Sequence, residues 1–131
     1  MPRTPVPAEV DHFLREPHAA VVATLRPDGS PHTVATWYDW DGGRVLLNMD
    51  EHRLRLRFIR RDPRVALTVL GGEEGWYRHV SLLGRVVEIA DDEELADIDR
   101  LARRYTGEPF QTRDRKRVSA WMEPARWHRW P

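Results

Sequence analysis

The stretch HRLRLRFIRRDPRV, residues 52–65, sets six arginines against a single acid, Asp62. The chain as a whole has a formal net charge of +0, so this excess of positive charge is local. Guanidinium groups are planar forks of N–H donors that match phosphate and carboxylate oxygens. On a helix, Arg53, Arg57 and Arg60 fall on one stripe, with Arg55 to its side. Such a stripe reads in two ways. It is a solvated helix face, or it is a phosphate site that adds the free amides of a helix start to the guanidinium forks. The stretch follows directly on LLNM, residues 46–49, the end of an apolar run where a ligand can lie against a sheet.

Two aromatic stretches are the other candidates. In TWYDW, residues 36–40, strand alternation puts Trp37 on the opposite side from Thr36 and Tyr38. A planar cofactor needs apolar walls and a few polar groups for its ring edges, although Trp37 and Trp40 serve a core or a subunit interface equally well. In WYRHV, residues 76–80, Arg78 and His79 either address a ligand or face water. Side-chain catalysts are harder to find. With no cysteine, disulfides and thiolate metal sites are excluded. The six histidines are scattered singly, without paired metal-ligand spacing, so no metal site is expected. Ser30, Ser81 and Ser119 lie in no nucleophile-elbow context. GGEEG, residues 71–75, matches neither a phosphate loop nor a dinucleotide fingerprint. If the chain is an enzyme, a cofactor carries its reaction.

The bulk numbers set the frame. A length of 131 residues fits one domain, and 40% hydrophobic with 32% charged residues marks a globular chain. Neutral overall charge argues against a nucleic-acid binder. No apolar run approaches membrane length and the start MPRTPVPAEV has no apolar signal core, so a cytoplasmic location is expected. Six tryptophans are more than one small core readily hides, which points to a ligand pocket or a subunit interface.

The elements that must position these residues follow from pattern. PAEVDHFLRE predicts a first helix. HAAVVATLR, PHTVATWYDW and RVLLNM predict three strands joined by the turns PDGS and DGG, a meander signal. A helix is expected from about residue 51 to 61, with Asp50 as its N-cap and Leu54, Phe58 and Ile59 on one face. RVALTVLG predicts a strand. WYRHVSLLGRVVEIA predicts a long one bent at Gly84. DDEELADIDRLARRYTG is the clearest helix, lined by Leu95, Ile98, Leu101, Ala102 and Tyr105, with Gly107 as its C-cap glycine. A second basic helix is expected over about residues 112 to 121, and ARWHRW closes the chain as a strand. The order implies an α+β fold built on a small barrel.

The ordered set of motifs resembles the pyridoxamine-phosphate-oxidase-like split-barrel family. A strand is followed by D-G-x-P-H, an aromatic W-Y, a D-G turn, another strand and a basic segment ending R-R-D-P-R-V. GRVVEI (84–89) and P-x-R-W (124–127) fit the later strands. Within that family the chain is most similar to short members that use the deazaflavin coenzyme F420; others bind FMN, and a few bind haem. The resemblance implies a six-stranded antiparallel split β-barrel with peripheral helices, a homodimer, and cofactor sites at the dimer interface.

By motif position the resemblance places Arg53 and Arg55 on the cofactor phosphate, with Arg57 nearby. Asn48, Met49 and Asp50 would line the ring or ribityl chain, and Thr36 and Trp37 would sit against the ring. Trp76, Arg78 and His79 would line the same site from the other subunit. The family's usual lysine is Arg55 here, and its usual Asn-Leu pair is Phe58-Ile59. The implied activity is hydride transfer from reduced F420 to a small unsaturated or quinone-like substrate, with FMN as the alternative cofactor. A non-catalytic flavin- or haem-binding protein is the rival from another class.

Overall fold

The computed structural model describes residues 1–130. Three helices, α1 (Ala8–Arg15), α2 (Leu54–Arg61) and α3 (Ala96–Thr106), accompany seven strands. The strands are β1 (Ala20–Leu25), β2 (Pro31–Thr36), β3 (Asp39–Asp41), β4 (Arg44–Asp50), β5 (Arg64–Val69), β6 (Val80–Asp91) and β7 (Arg117–Arg129). They form one antiparallel sheet in the order β2-β1-β5-β6-β7-β4-β3. The fold is α+β, and no helix among the described residues is long and apolar enough to cross a membrane.

The outer strands of this sheet, β2 and β3, are neighbours in the chain, joined only by Trp37 and Tyr38. Seven flat strands about 4.8 Å apart would part the outer two by roughly 29 Å. A link of this length reaches only about 10 Å. The sheet must therefore curl on itself, and the covalent link closes a barrel that hydrogen bonds leave split. The expected six strands become seven for the same reason: PHTVATWYDW is not one strand but two, broken at Trp37. The expected meander is accordingly two separate hairpins, β1–β2 and β3–β4, at opposite edges of the sheet.

Tyr38 fixes the break. Its side chain is fully buried, its hydroxyl lies 2.9 Å from the carbonyls of both Leu14 and Glu16, and burial pushes its phenol well above the ordinary pKa. Arg104 of α3 lies over its ring at 5.0 Å and donates from Nε to the Tyr38 carbonyl at 2.9 Å. The same guanidinium donates to the carbonyls of Arg15 (2.6 Å) and Glu16 (2.7 Å), and pairs with Asp39 at 3.3 Å. Carbonyls at a helix C-terminus lack intrahelical donors, and one arginine supplies them for α1.

Strand β4 is buried from Val45 to Asp50 because both its faces are covered. Val45, Leu47 and Met49 point into the barrel core, while Leu46 packs on Leu95, Ile98 and Leu101 of the α3 layer. Gly84 sits at a register shift between β6 and β7, as the sequence suggests. A Cβ there would meet the Glu123 carbonyl oxygen and lie 2.7 Å from Pro124 Cα. Gly107 ends α3 with φ 83.

Three other expectations need correction. Residues 112–116 are irregular and β7 starts at Arg117, so the second basic helix does not exist. Val118, Ala120 and Met122 are buried with period two, and pairing to β4 and β6 on both sides settles the strand. Helix α2 starts at Leu54, with Arg53 rather than Asp50 at the N-cap. Asp50 is drawn off by the His52 amide (2.9 Å) and Arg115 (3.1 Å), and Leu56 and Ile59 bury the helix while Leu54 stays exposed. Finally, β6 begins at Val80, which leaves Trp76, Arg78 and His79 in the preceding turn.

Two stability outcomes are expected. Gly84→Ala forces backbone apart at the β6–β7 crossing and lowers unfolding free energy by about 1–3 kcal/mol in urea titration. Arg104→Met strands the Arg15 carbonyl and takes a donor from the Tyr38 and Glu16 carbonyls, and lowers it by about 1–3 kcal/mol.

Candidate functional site

A cleft of about 650 Å³ opens between β2 and α3, a size that suits a cofactor or small ligand. Edge strand β2 contributes Val34, Ala35 and Thr36, and the barrel-closing link contributes Trp37. Because β2 pairs only with β1, the polar groups along its other backbone edge are free to meet a ligand. The α3 wall supplies Ile98, Leu101 and Tyr105, and Phe110 closes the far side. Asn48, Arg53, Arg55 and Arg117 line the polar end.

The aromatic wall is held rigidly. Trp37 stacks on Tyr105 with ring centroids 5.4 Å apart and planes 8° from parallel, and Phe110 meets Trp37 edge-on at 6.2 Å. Tyr105 donates its hydroxyl proton to the His18 carbonyl at 2.7 Å, and burial pushes its pKa up. Phe110 is anchored through its amide, which donates to Asp99 at 3.0 Å. Arg113 beside Asp99 holds that carboxyl below the usual range. Thr36 donates its hydroxyl to the Trp37 carbonyl at 2.9 Å, leaving its oxygen lone pairs available.

The polar end carries unneutralised positive charge. Arg53 is exposed and Arg55 half-buried, and neither makes a side-chain hydrogen bond or ion pair among the described residues. Burial, then repulsion from Arg53 and Arg117, pushes the Arg55 pKa down. An arginine stays protonated through such a shift, so these groups call for an anion. The first turn of α2 has no side-chain cap, so its amides add to that demand.

The structure thus brings five of the sequence candidates together: Thr36, Trp37, Asn48, Arg53 and Arg55. It separates the others. Met49 faces the barrel core at 1% exposure. Asp50 is buried under Arg115, and Arg57 is exposed on α2 outside the cleft. Trp76 is 72% exposed, Arg78 pairs with Glu74 at 3.3 Å, and His79 packs toward His128; none lines the cleft within one chain. Sequence reasoning missed Arg117, Tyr105 and Phe110 as lining residues. Tyr105 carried a helical-face signal that reads as core, and Arg117 was assigned to a helix that does not form.

The profile of the pyridoxamine 5'-phosphate oxidase family matches residues 6–131. The F420H(2)-dependent biliverdin reductase of Mycobacterium tuberculosis (strain CDC 1551 / Oshkosh) is 34% identical over 94 residues, covering 71% of this chain and 67% of that protein. A solved structure of an F420 reductase superposes with a TM-score of 0.85 at 30% identity, covering 94% of this chain and 98% of the other. A conserved hypothetical protein of Mycobacterium tuberculosis superposes at 0.77 with 27% identity, covering 98% and 86%. With the sequence match and the fold in accord, the chain belongs to the pyridoxamine 5'-phosphate oxidase family.

Proposed function

We propose that the protein is an oxidoreductase that uses the reduced deazaflavin coenzyme F420 to transfer a hydride to a small unsaturated or quinone-like molecule. One observation carries this reading: an aromatic slot ends in two guanidinium groups, Arg53 and Arg55, that have no acidic partner among the described residues. The donor set fits a phosphorylated ring system. Apolar walls at Val34 and Trp37 suit a flat heterocycle, the open edge of β2 suits its polar rim, and Arg53 and Arg55 suit its phosphate. Relatives named for F420 at 34% and 30% identity support the deazaflavin over FMN.

When bound, the coenzyme supplies the hydride. The protein's own residues have other tasks. Arg53, Arg55 and the uncapped amides of α2 bind the phosphate and set the depth of the ring in the cleft. The stacked pair of Trp37 and Tyr105 excludes water from one wall. The Thr36 oxygen and the β2 edge orient polar atoms of the ligand. No side chain need move a proton, since preorganised dipoles in a dry cleft stabilise developing charge.

In this reading the working unit is a homodimer. Trp76 (72% exposed), Tyr77 (47%) and Trp130 (50%) leave large apolar surface in water near one another, with the Trp130 amide donating to the His79 carbonyl at 3.0 Å. A second copy covers that surface and carries Trp76, Arg78 and His79 to its partner's cleft.

Titration with the deazaflavin coenzyme, followed by absorbance and fluorescence, is expected to show saturable binding. FMN retained tightly, with no deazaflavin affinity, overturns the cofactor assignment. Arg55→Ala removes charge-assisted hydrogen bonds of about 1.5–3 kcal/mol each, so affinity falls at least about tenfold. Light scattering at micromolar concentration is expected to give the mass of a dimer, and Trp76→Glu to shift it toward the monomer.

A further inference from the structure

We propose that Arg117 is a second anion-binding point of the cleft, distinct from the Arg53–Arg55 pair, and that it takes a carboxylate. The proposal rests on the functional reading above for what occupies the cleft, but the site itself is built from this chain alone.

Four arginines are half-buried: Arg44, Arg55, Arg104 and Arg117. Arg44 pairs with Glu88 and Arg104 with Asp39. Arg55 and Arg117 have no carboxylate partner among the described residues, and both line the same cleft. A half-buried guanidinium without a counter-ion is costly, so two of them in one cleft point to ligand charge at two places.

Arg117 differs from Arg55 in being fixed beforehand. It starts β7 opposite Asp50, and its carbonyl accepts the Asp92 amide at 2.9 Å. Its Nε donates to Asn48 Oδ1 at 3.0 Å, and its guanidinium lies 4.8 Å over the Phe110 ring. Asn48 is itself clamped, donating from Nδ2 to Asp92 at 3.1 Å and to Ser119 Oγ at 3.0 Å. Asp92 also accepts the amides of Asp97 (3.1 Å) and Ile98 (2.9 Å), and so ties the arm to α3.

The carboxylates whose fields reach Arg117, Asp50 and Asp92, are taken: Asp50 by Arg115 and the His52 amide, Asp92 by Asn48 and the α3 amides. Both terminal nitrogens of Arg117 therefore remain free. A rigid planar fork with two free N–H pairs matches a carboxylate edge-on. Asn48 is a positioning residue for that fork. The carboxylate belongs either to an acidic tail on the coenzyme or to the substrate.

The first test needs no coenzyme. Succinate is titrated into the protein while the Arg117 Nε–H resonance is followed by NMR. A saturable shift is expected, absent with sodium chloride at equal ionic strength and retained in Arg55→Gln. No succinate-dependent shift overturns the proposal. The second test identifies the source. Binding of F420 and of its ring-ribityl-phosphate fragment, which keeps the phosphate and lacks the carboxylates, is measured by fluorescence in wild type, Arg117→Gln and Arg117→Lys. The KM of an enone carboxylic acid is compared with that of its methyl ester.

A roughly tenfold weaker F420 Kd in Arg117→Gln, with the fragment unchanged and partial rescue by lysine, assigns the carboxylate to the coenzyme. A roughly tenfold higher KM confined to the acid assigns it to the substrate. If neither changes, Arg117 holds no ligand and the proposal fails. If succinate shifts the resonance but F420 does not bind wild type, the functional reading fails while the site stands.

Discussion

One arginine ties together the point at which this barrel closes. Arg104 sits where the end of α1, the link at Tyr38 and the start of β3 converge, and it satisfies carbonyls from the first two and a carboxylate from the third. Without a donor there, helix-end carbonyls would face an aromatic core. The sheet is held round by a two-residue covalent link rather than by a ladder between β2 and β3. That link also carries Trp37 into the ligand cleft. Closure of the barrel and construction of the aromatic wall are therefore one event. Arg104 and Tyr105 serve them from adjacent positions on α3.

The cleft works against stability in a way the rest of the molecule offsets. The half-buried arginines away from the cleft each meet an acid: Arg44 meets Glu88 and Arg104 meets Asp39. At the polar end of the cleft that rule lapses, and Arg53, Arg55 and Arg117 raise one another's electrostatic energy. Unmet charge held in place by well-satisfied surroundings is what a preorganised anion site looks like, because the repulsion is relieved only when a ligand arrives.

Much of this was legible in the sequence, for reasons that can be named. Gly84 and Gly107 mark a crossing and a helix end that a side chain would obstruct or strain. The spacing of Ile98, Leu101 and Ala102 announces a helix that buries one side, although Leu95, expected on that face, is its left-handed N-cap. Arg53 and Arg55 stand out because six arginines share their stretch with one acid. What remained hidden depended on distant partners. The break after Thr36 is invisible in a run of β-formers, since it is dictated by a closure involving α1 and α3. Asp50 has the chemistry of an N-cap, but Arg115, far along the chain, competes for it. Arg117 lies among basic residues that look helical until β4 and β6 flank them.

Strand β4 has a consequence for how such a protein diversifies. Leu47 and Met49 face the barrel core, while Leu46 and Asn48 face α3 and the cleft. Adjacent positions therefore answer to different surroundings, Leu47 and Met49 to the barrel core, Leu46 to the α3 layer and Asn48 to the cleft. Of these four residues only Asn48 lines the cleft, so a substitution there changes the ligand's surroundings without entering the barrel core. A single-residue deletion in this strand would exchange the two sets at a stroke, placing an amide among aliphatics and a thioether among arginines, so point substitution is the open route and length change is closed.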